Sequence, residues 1–542
     1  MRVNVVILFQ ENHSGVPEER KDDVSKYSPL FTRVQNGNDV RGAAIATEDE
    51  KKTLTPGLVS FIAAAFAQFL SEKTGKKKED LRIGVGHDSR VTAGILSEAC
   101  FKGLAGCKVY NCDLISTPAM FQSTVLADSD FDGSIMLTAS HLPFNRNGMK
   151  FFTKDGSLEK KQLTDILAAA AALADQYGKD DEEDFVSAAD LPFEGPAPEP
   201  FDMVSVYSDE MKRIICDDVA AEDYDHPLKG LHIIVDAGNG AAGFFATKIL
   251  EPLGADITGS QFLEPDGTFP NHVPNPENEE AMKAACKATT ESGADLGVIF
   301  DCDGDRGAVV FADGTEVNRN TLIALLAVIV SEEFPNSTIV TDSITSDELT
   351  EFLEGGLGMK HLRFKRGYKN VIDKGIELNA AGETCQLAIE TSGHGAFKEN
   401  YFSDDGAYIS VKIICKMAKL MKTGETIESL IRDLKQPAEA KEIRFKILED
   451  DFRPVGEKVL EDFRALAEAD SRFHIVEPNY EGIRVSFDDD EVKGWVLVRM
   501  SLHDPVIPMN IESSDEGGVS TILGRIRDFF AERTNLKPNT GL

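Results

Sequence analysis

Leu231-His-Ile-Ile-Val-Asp-Ala-Gly-Asn-Gly240 is a short apolar run, rich in β-branched residues, that stops at an aspartate and turns through two glycines. A run of this kind, bounded by turn residues, reads as a buried strand feeding a loop. Leu81-Arg-Ile-Gly-Val-Gly-His-Asp88 and Ser337-Thr-Ile-Val-Thr-Asp-Ser343 share the rhythm, and a helical stretch follows each. Strands alternating with helices predict mixed α/β domains. The starts at residues 81, 231 and 337 lie too far apart for a short-period solenoid, so the pattern is repeated architecture.

Working outward, Gly57 to Leu70, Gln162 to Tyr177, Leu322 to Glu333 and Gly406 to Met421 predict helices. The acidic, Pro-rich stretch from Lys179 to Pro200 predicts an exposed insertion or linker. A junction falls near Lys435-Gln-Pro-Ala-Glu439. Beyond it, strands at Ile483 to Phe487 and Trp495 to Met500 and a final helix from Val519 to Arg533 predict a smaller α+β domain. The first 25 or so residues are too polar and irregular to assign.

The chain has 542 residues, which at about 150 per domain suggests roughly three or four domains. With 42% hydrophobic and 27% charged residues it can bury ordinary cores, which excludes global disorder. Lys and Arg total 57 against 92 Asp and Glu, a formal charge of −35. Such a field repels nucleic acid and anionic lipid, so neither is expected as a partner, and any phosphate site must be a local cationic pocket. The longest apolar stretches, such as Leu322 to Val330, fall short of the roughly 18 residues of a spanning helix. The N-terminal residues lack a signal-cleavage region, so the expected location is cytoplasmic, with a plastid left open. Eight scattered cysteines without a CxxC pair argue against a zinc site or disulfide framework and favour a reducing compartment. Asn12-His-Ser and Asn336-Ser-Thr match the glycosylation triplet, a pattern that often arises by chance.

Four segments carry chemistry. In Leu296-Gly-Val-Ile-Phe-Asp-Cys-Asp-Gly-Asp-Arg306 a strand ends in Asp301, Asp303 and Asp305, with Arg306 next. Three carboxylates at alternate positions of a turn can converge on a hard divalent cation such as Mg2+, which takes about six oxygens near 2.1 Å and often shares its shell with a phosphate. Arg306 suits the same anion. An EF-hand is excluded, because Arg306 stands where Gly is needed and Ala312 where Glu is needed. An acidic turn, or an aspartyl nucleophile of phosphatase type, stays open. In Gly133-Ser-Ile-Met-Leu-Thr-Ala-Ser-His-Leu-Pro-Phe-Asn-Arg-Asn-Gly-Met-Lys150, Pro143 and Asn147-Gly148 are expected to force a loop and Lys150 to begin another strand. Ser140 would then sit at an exposed loop crest beside His141, with Lys150 in reach, and His or Lys can activate a serine. A serine that merely caps a turn is the alternative. The absence of a Gly-x-Ser-x-Gly elbow argues against a serine hydrolase. In Ala388-Ile-Glu-Thr-Ser-Gly-His-Gly395 the alternation of Glu390, Ser392 and His394 would aim all three the same way from an extended loop, as a grip for sugar hydroxyls or simply as a polar loop. In Val498-Arg-Met-Ser-Leu-His-Asp-Pro505, Arg499, Ser501 and His503 could cradle a phosphate or merely end a strand.

Taken together and in this order, the four segments resemble the α-D-phosphohexomutase superfamily of phosphoglucomutases, phosphomannomutases and phosphoglucosamine mutases. Thr138-Ala-Ser-His-Leu-Pro143 resembles its phosphoserine loop, Asp301 to Arg306 its metal loop and Ile389-Glu-Thr-Ser-Gly-His394 its sugar loop. Asp39-Val-Arg-Gly42, Gly86-His-Asp-Ser-Arg90, Val235-Asp-Ala-Gly-Asn-Gly240 and Pro265-Asp-Gly-Thr-Phe-Pro-Asn-His272 add to the match, which spans about Val34 to Phe530.

The resemblance implies three related mixed α/β domains (26–215, 216–320 and 321–438) and a smaller C-terminal α+β domain (439–542) around a central cleft. It implies that Ser140 carries phosphate and that Ser140, Asp301, Asp303 and Asp305 bind Mg2+. Arg41, His141 and Lys150 would then assist transfer, and Arg306, Lys365, Glu390, Ser392, His394, Arg499, Ser501 and His503 would hold substrate. The implied activity interconverts hexose 1-phosphate and hexose 6-phosphate, of glucose or mannose, through a bound hexose 1,6-bisphosphate that also serves as activator, in a monomer or homodimer. A phosphoglucosamine mutase, a hexose 1,6-bisphosphate synthase and a non-catalytic sugar-phosphate sensor are the alternatives. Three departures from the family pattern stand out: Leu142 for Asn, Ile389 for Gly, and Leu502 with His503 for Gly-Thr in the last loop.

Overall fold

A computed structural model describes residues 25–177, 195, 197–501 and 504–541. Asn12, most of the acidic stretch after Lys179, Leu502 and His503 lie outside the described residues. Four sheets follow one another along the chain. In the first, Arg82–His87 pairs parallel with Lys108–Leu114 and Gly133–Leu137, and Gly133–Leu137 turns back into the antiparallel Arg146–Thr153. The second repeats the unit: Leu296–Phe300 lies parallel to Ile233–Asp236 and antiparallel to Gly307–Phe311. The third repeats it again, with Cys385–Ile389 parallel to Thr338–Thr341 and antiparallel to Gly395–Phe397. The fourth sheet, around Glu439–Ile447, Ile483–Asp488, Lys493–Val498 and Val506–Ser513, is antiparallel throughout and packs the helices Phe452–Ala469 and Gly518–Ala531 on its core. Three mixed α/β domains and a C-terminal α+β region are therefore present.

The expected helices form with local reasons at their ends. Pro56–Thr74 starts on Thr55, whose hydroxyl accepts from Leu58 N, and stops at Gly75 in the left-handed conformation. Gly406–Met421 starts on Asp405, which accepts from Tyr408 N at 2.9 Å, from the Tyr207 hydroxyl at 2.7 Å and from Asn400 Nδ2 at 3.0 Å. Burial raises the Asp405 carboxyl to about 6, and these donors hold it from rising further. Gly406–Met421 packs against Arg319–Glu333 and Met203–Val219, so the second and third sheets share one apolar core.

The C-terminal region docks on the third domain largely through polar contacts. Arg484 donates to Ser343 O (3.1 Å) and Thr345 O (3.2 Å) and pairs with Asp347 at 2.9 Å. Ser514 donates to Glu348 at 2.5 Å, and Ser343 to Glu481. All eight cysteines are free, and all but Cys286 are buried. Among the described residues no helix is long and apolar enough to cross a membrane.

One local expectation fails. Asn147-Gly148 does not turn; both lie inside Arg146–Thr153, and Lys150 sits in the middle of that strand. The strand is held on both sides, Gly148 opposite Arg41 and Met149 opposite Leu137. Gly148 is needed for close approach, because a Cβ there would meet Val40 O at 2.2 Å and Thr138 O at 2.7 Å. Gly148→Ala should therefore lower stability by about 2 kcal/mol or more, read as a fall in the thermal midpoint.

Candidate active site

Each of the three α/β domains contributes one loop, and it is the same loop: the crest that joins the parallel strand to its antiparallel partner. Residues 138–145 do so in the first sheet, 301–306 in the second and 390–394 in the third. The crests meet. Ser140 Oγ donates to Asp301 Oδ2 at 3.0 Å although 161 positions separate them, and Arg306 donates to Ser140 Oγ at 3.1 Å. Arg306 also donates to Asp301 Oδ2 at 3.1 Å and to His141 Nδ1 at 2.6 Å. Its backbone bridges to that of His394, which brings the third crest alongside.

Ser140 has φ of 50°, a left-handed conformation unusual for serine, and only its turn and neighbours hold it there. Its N–H donates to Thr138 Oγ1 at 2.8 Å. The main clamp is Arg90, 1% exposed, which donates to the carbonyls of Ser140 (2.5 Å), Leu142 (2.6 Å), Pro143 (2.8 Å) and Arg146 (2.8 Å). Leu142 thus serves the loop through its backbone. Against the back of Arg90 lies Gly267, where a Cβ would meet Ser89 O at 2.4 Å and Arg90 Cα at 2.6 Å. The Pro265–His272 stretch therefore joins the second domain to the base of the serine loop.

The three aspartates are fully buried, and one oxygen of each lies within 4.8 Å of the others. Asp303 Oδ1 and Asp305 Oδ1 are buried without a hydrogen-bond partner among the described residues. Thr117 donates to Asp303 Oδ2 at 2.5 Å and Lys150 to Asp305 Oδ2 at 2.5 Å. Burial and the neighbouring Asp305 push the Asp301 carboxyl well up, despite Arg306. Asp305 is equally buried, yet Lys150, His394 and Arg306 hold it below the usual carboxylate range. Clustered carboxylates with orphaned buried oxygens fit a hard divalent cation of the Mg2+ class.

His141 is exposed as a residue, but desolvation of its ring edge and the charges of Arg306 and Arg41 push it down to about 3, so it is neutral near pH 7. His394 is the opposite case. Burial lowers it, but Asp404 at 2.6 Å and Asp305 at 3.8 Å outweigh that and hold it up at about 9. Arg41 donates to Thr138 O at 2.7 Å and pairs with Asp39 at 3.0 Å. Lys150 also lies over the ring of Tyr368, which stacks on His394 and accepts from Asn38 of the first domain.

The third crest is a tight turn and not the extended loop expected. Glu390 N bonds to His394 O at 2.8 Å, so the side chains separate. His394 faces the aspartates, whereas Glu390 accepts from Gly367 N at 2.5 Å and from Ser392 Oγ at 3.1 Å. Burial and Asp342 raise the Glu390 carboxyl to about 7. Lys365 is exposed and makes no hydrogen bond or ion pair among the described residues, while its neighbour Arg366 turns towards Asp342 and Glu277 at 3.8 and 3.9 Å. Arg499 is 8% exposed, lies 4.0 Å from Glu481 and leaves its buried Nε without a partner. Ser501 is half-buried and accepts from Asp504 N at 3.3 Å. Sequence reasoning missed Thr117, Arg366, Tyr368 and Asp404 as parts of this site. It quoted Arg90 without seeing its role.

A mixed α/β triad of domains that joins a serine crest, an aspartate trio and the Glu390–His394 crest has the architecture of the α-D-phosphohexomutase class. The family models described as phosphoglucomutase/phosphomannomutase alpha/beta/alpha domains I, II and III match residues 32–177, 206–314 and 318–437. The chain belongs to this phosphoglucomutase/phosphomannomutase family of the α-D-phosphohexomutase superfamily.

It is 30% identical over 459 residues to the phosphomannomutase/phosphoglucomutase of Pseudomonas putida, across 84% of this chain and 87% of that one. It is 28% identical over 495 residues to the phosphoglucomutase of Neisseria gonorrhoeae, across 90% and 95%. Among solved structures, a phosphoglucomutase/phosphomannomutase family protein of Burkholderia thailandensis superposes with a TM-score of 0.72 at 24% identity, covering 95% of this chain and 99% of that one. The Paramecium phosphoprotein pp63/parafusin in its open form gives 0.63 at 17%, covering 88% and 90%. Identities this low bear on the fold alone. The family supports an enzymatic activity of phosphotransferase type.

Because Arg90 holds three carbonyls of the serine crest and that of Arg146 just beyond it, Arg90→Lys should loosen it. The expected result is a loss of about 2–4 kcal/mol of stability, read by thermal unfolding.

Proposed function

We propose that the protein interconverts hexose 1-phosphate and hexose 6-phosphate, with glucose and mannose as the sugars, by way of phosphorylated Ser140 and a bound hexose 1,6-bisphosphate. The observation that carries the reading is Ser140 Oγ lying 3.0 Å from Asp301 and 3.1 Å from Arg306. A hydroxyl flanked by a buried cation and a carboxylate cluster is a phosphoryl acceptor site, since catalysis of this transfer is mostly placement and charge stabilisation. Asp301, Asp303 and Asp305 would hold Mg2+ together with an oxygen on Ser140, and the ion would supply positive charge to the transferring group.

The chain's own residues do the remaining work. Arg306 steadies the oxygen on Ser140 and also donates to His141 Nδ1, which lies 3.3 Å from that oxygen, so neutral His141 could take a proton there only once the Arg306 contact is released. His394 and Lys150 contribute positive charge next to Asp305, with Arg41 behind the serine crest. Glu390 and Ser392 accept and donate to sugar hydroxyls. Arg499, Ser501 and His503 would grip the phosphate that is not reacting, with Arg366 near Arg499 and Lys365 as a further cation of the cleft. Two cationic ends suit a bisphosphate that turns over in place, and they explain how an acidic protein binds acidic sugars. Hexose 1,6-bisphosphate would also serve as activator by restoring phosphate to Ser140.

Intact mass and peptide mapping should show one phosphoryl group on Ser140, and an isotopic label placed there should pass into the hexose phosphates on adding glucose 1-phosphate while the protein stays phosphorylated. Ser140→Ala should lose the group, and turnover should fall by at least about a thousandfold. Persistent absence of the group in active wild-type protein would refute the mechanism. Parallel assays with mannose and glucosamine phosphates identify the sugar.

Glu390 supplies a pH test. Its folded pKa of about 7 stands above the ordinary 4.5, so it is protonated in acid and gains charge as pH rises through about 7. The ionised form is the better acceptor for sugar hydroxyls, so KM should fall across that window. Glu390→Gln should flatten the dependence that remains after correction for the substrate's own titration.

A further inference from the structure

The stretch from Pro265 to Glu277 in the second domain touches both arginines on which the serine crest depends. Its Gly267 backbone lies against Arg90, and the Phe269 ring stands 5.3 Å from the Arg90 guanidinium. Further on, Asn275 accepts from Arg306 at 3.2 Å, and Glu277 lies 3.9 Å from the same guanidinium. Whatever holds this stretch in place therefore holds both arginines.

No helix or strand does so, for the stretch contains neither, and Phe269 sits at φ of 50°, a costly conformation for phenylalanine. Asn239 anchors part of it: Asp266 N donates to Asn239 O at 2.9 Å, and Asn271 Nδ2 to Asn239 Oδ1 at 2.8 Å. The deepest anchor is His272, 8% exposed, against Asp236, the buried last residue of strand Ile233–Asp236. His272 Nε2 lies 3.1 Å from each Asp236 carboxylate oxygen, and Nδ1 lies 3.0 Å from Val273 O.

Both ring nitrogens thus face oxygens. The Asp236 oxygens already accept from Gly238 N at 2.9 Å and from Gln261 Nε2 at 2.8 Å, so they act as acceptors, and a backbone carbonyl can do nothing else. A neutral imidazole has one N–H and one lone pair, and here the lone pair would meet an oxygen. Only the doubly protonated ring donates to both partners. Among the described residues Asp236 is the one group whose charge acts on the ring; Phe262 meets it edge-on at 5.3 Å, and Gly238, Asn239, Gln261 and Asn271 nearby are uncharged. Burial alone would lower His272, but Asp236 and the Val273 carbonyl outweigh it and hold the ring above its ordinary 6.5.

We propose that the His272 imidazolium is a positioning residue: paired with Asp236, it pins the Pro265–Glu277 stretch to the second sheet and so keeps Arg90 and Arg306 in register with Ser140. Losing the proton turns a lone pair on an oxygen, so the pin loosens with rising pH. Its stabilisation is complete below the ordinary 6.5 and is lost as pH climbs through the higher folded value. The pin does not depend on the proposed reaction, whereas any effect of it on turnover does.

NMR of the full chain carrying isotope-labelled histidine tests this, with His272→Gln assigning the signal. The His272 midpoint should lie above 6.5 in the wild type, and Asp236→Asn should bring it below 6.5. In thermal unfolding the wild type should exceed His272→Gln by a margin that is widest near pH ~6 and at least roughly halved near pH ~9, because glutamine still donates to Asp236 but offers no second donor. Hydrogen exchange near pH ~6 should quicken about threefold or more across residues 138–146 in His272→Gln, with Glu439–Ile447 unchanged. The proposal is overturned if His272 titrates at or below 6.5, if the thermal margin ignores pH, or if exchange of the serine crest rises no more than that of Glu439–Ile447. The wild-type titration requires no variant to fold, and no readout requires turnover, so the pin and the mutase reading fail separately.

Discussion

The Arg306 guanidinium, 2% exposed, is the contact on which the rest of the cleft depends. It touches Asp301 of its own loop and both Ser140 and His141 of another domain. Taking these charges out of water costs several kcal/mol per ion, and only good geometry with saturated hydrogen bonding returns it. The surrounding structure supplies that geometry. Arg90 fixes the serine crest from beneath, and Asn275 accepts from Arg306 at 3.2 Å. Desolvation lowers His141 first and the same guanidinium lowers it further, so one buried cation fixes the serine's position and adds to the push on its neighbour.

Repetition of one supersecondary unit explains why such a centre can assemble at all. A parallel strand that turns into an antiparallel one leaves its crest at the strand's carboxyl end, beyond the sheet and free of ladder hydrogen bonds. Three packed copies bring three crests to one place. The units then diverge in chemistry: a strained serine, a knot of carboxylates, and a turn that splits Glu390 from His394. The fold is common to the three, and the functions lie in eight or fewer residues of each crest.

Much of this was legible in the chain. The Asp301–Arg306 and Thr138–Pro143 segments carry their chemistry on adjacent residues, so spacing alone exposes it. The helices at Pro56–Thr74 and Gly406–Met421 follow from composition and caps. What stayed hidden acts across the fold. Arg90 works on carbonyls over 50 positions away, Thr117 on Asp303 across 186, and Tyr368 joins Asn38 across 330. Asn147-Gly148 read as a turn because that dipeptide commonly makes one, and pairing on both edges of the strand overrode it. Lys365 and Arg366 are both cations, and no local signal distinguishes the exposed one from the one that turns inward.

The polar seam between the third domain and the C-terminal region has a further consequence. Arg484, Glu481 and Ser514 hold it with ion pairs and hydrogen bonds, and Arg484 is only 2% exposed, so its charge depends on those partners and not on water. Removing one partner would strand a buried charge at the junction, so the seam resists single losses far more than its polar composition suggests.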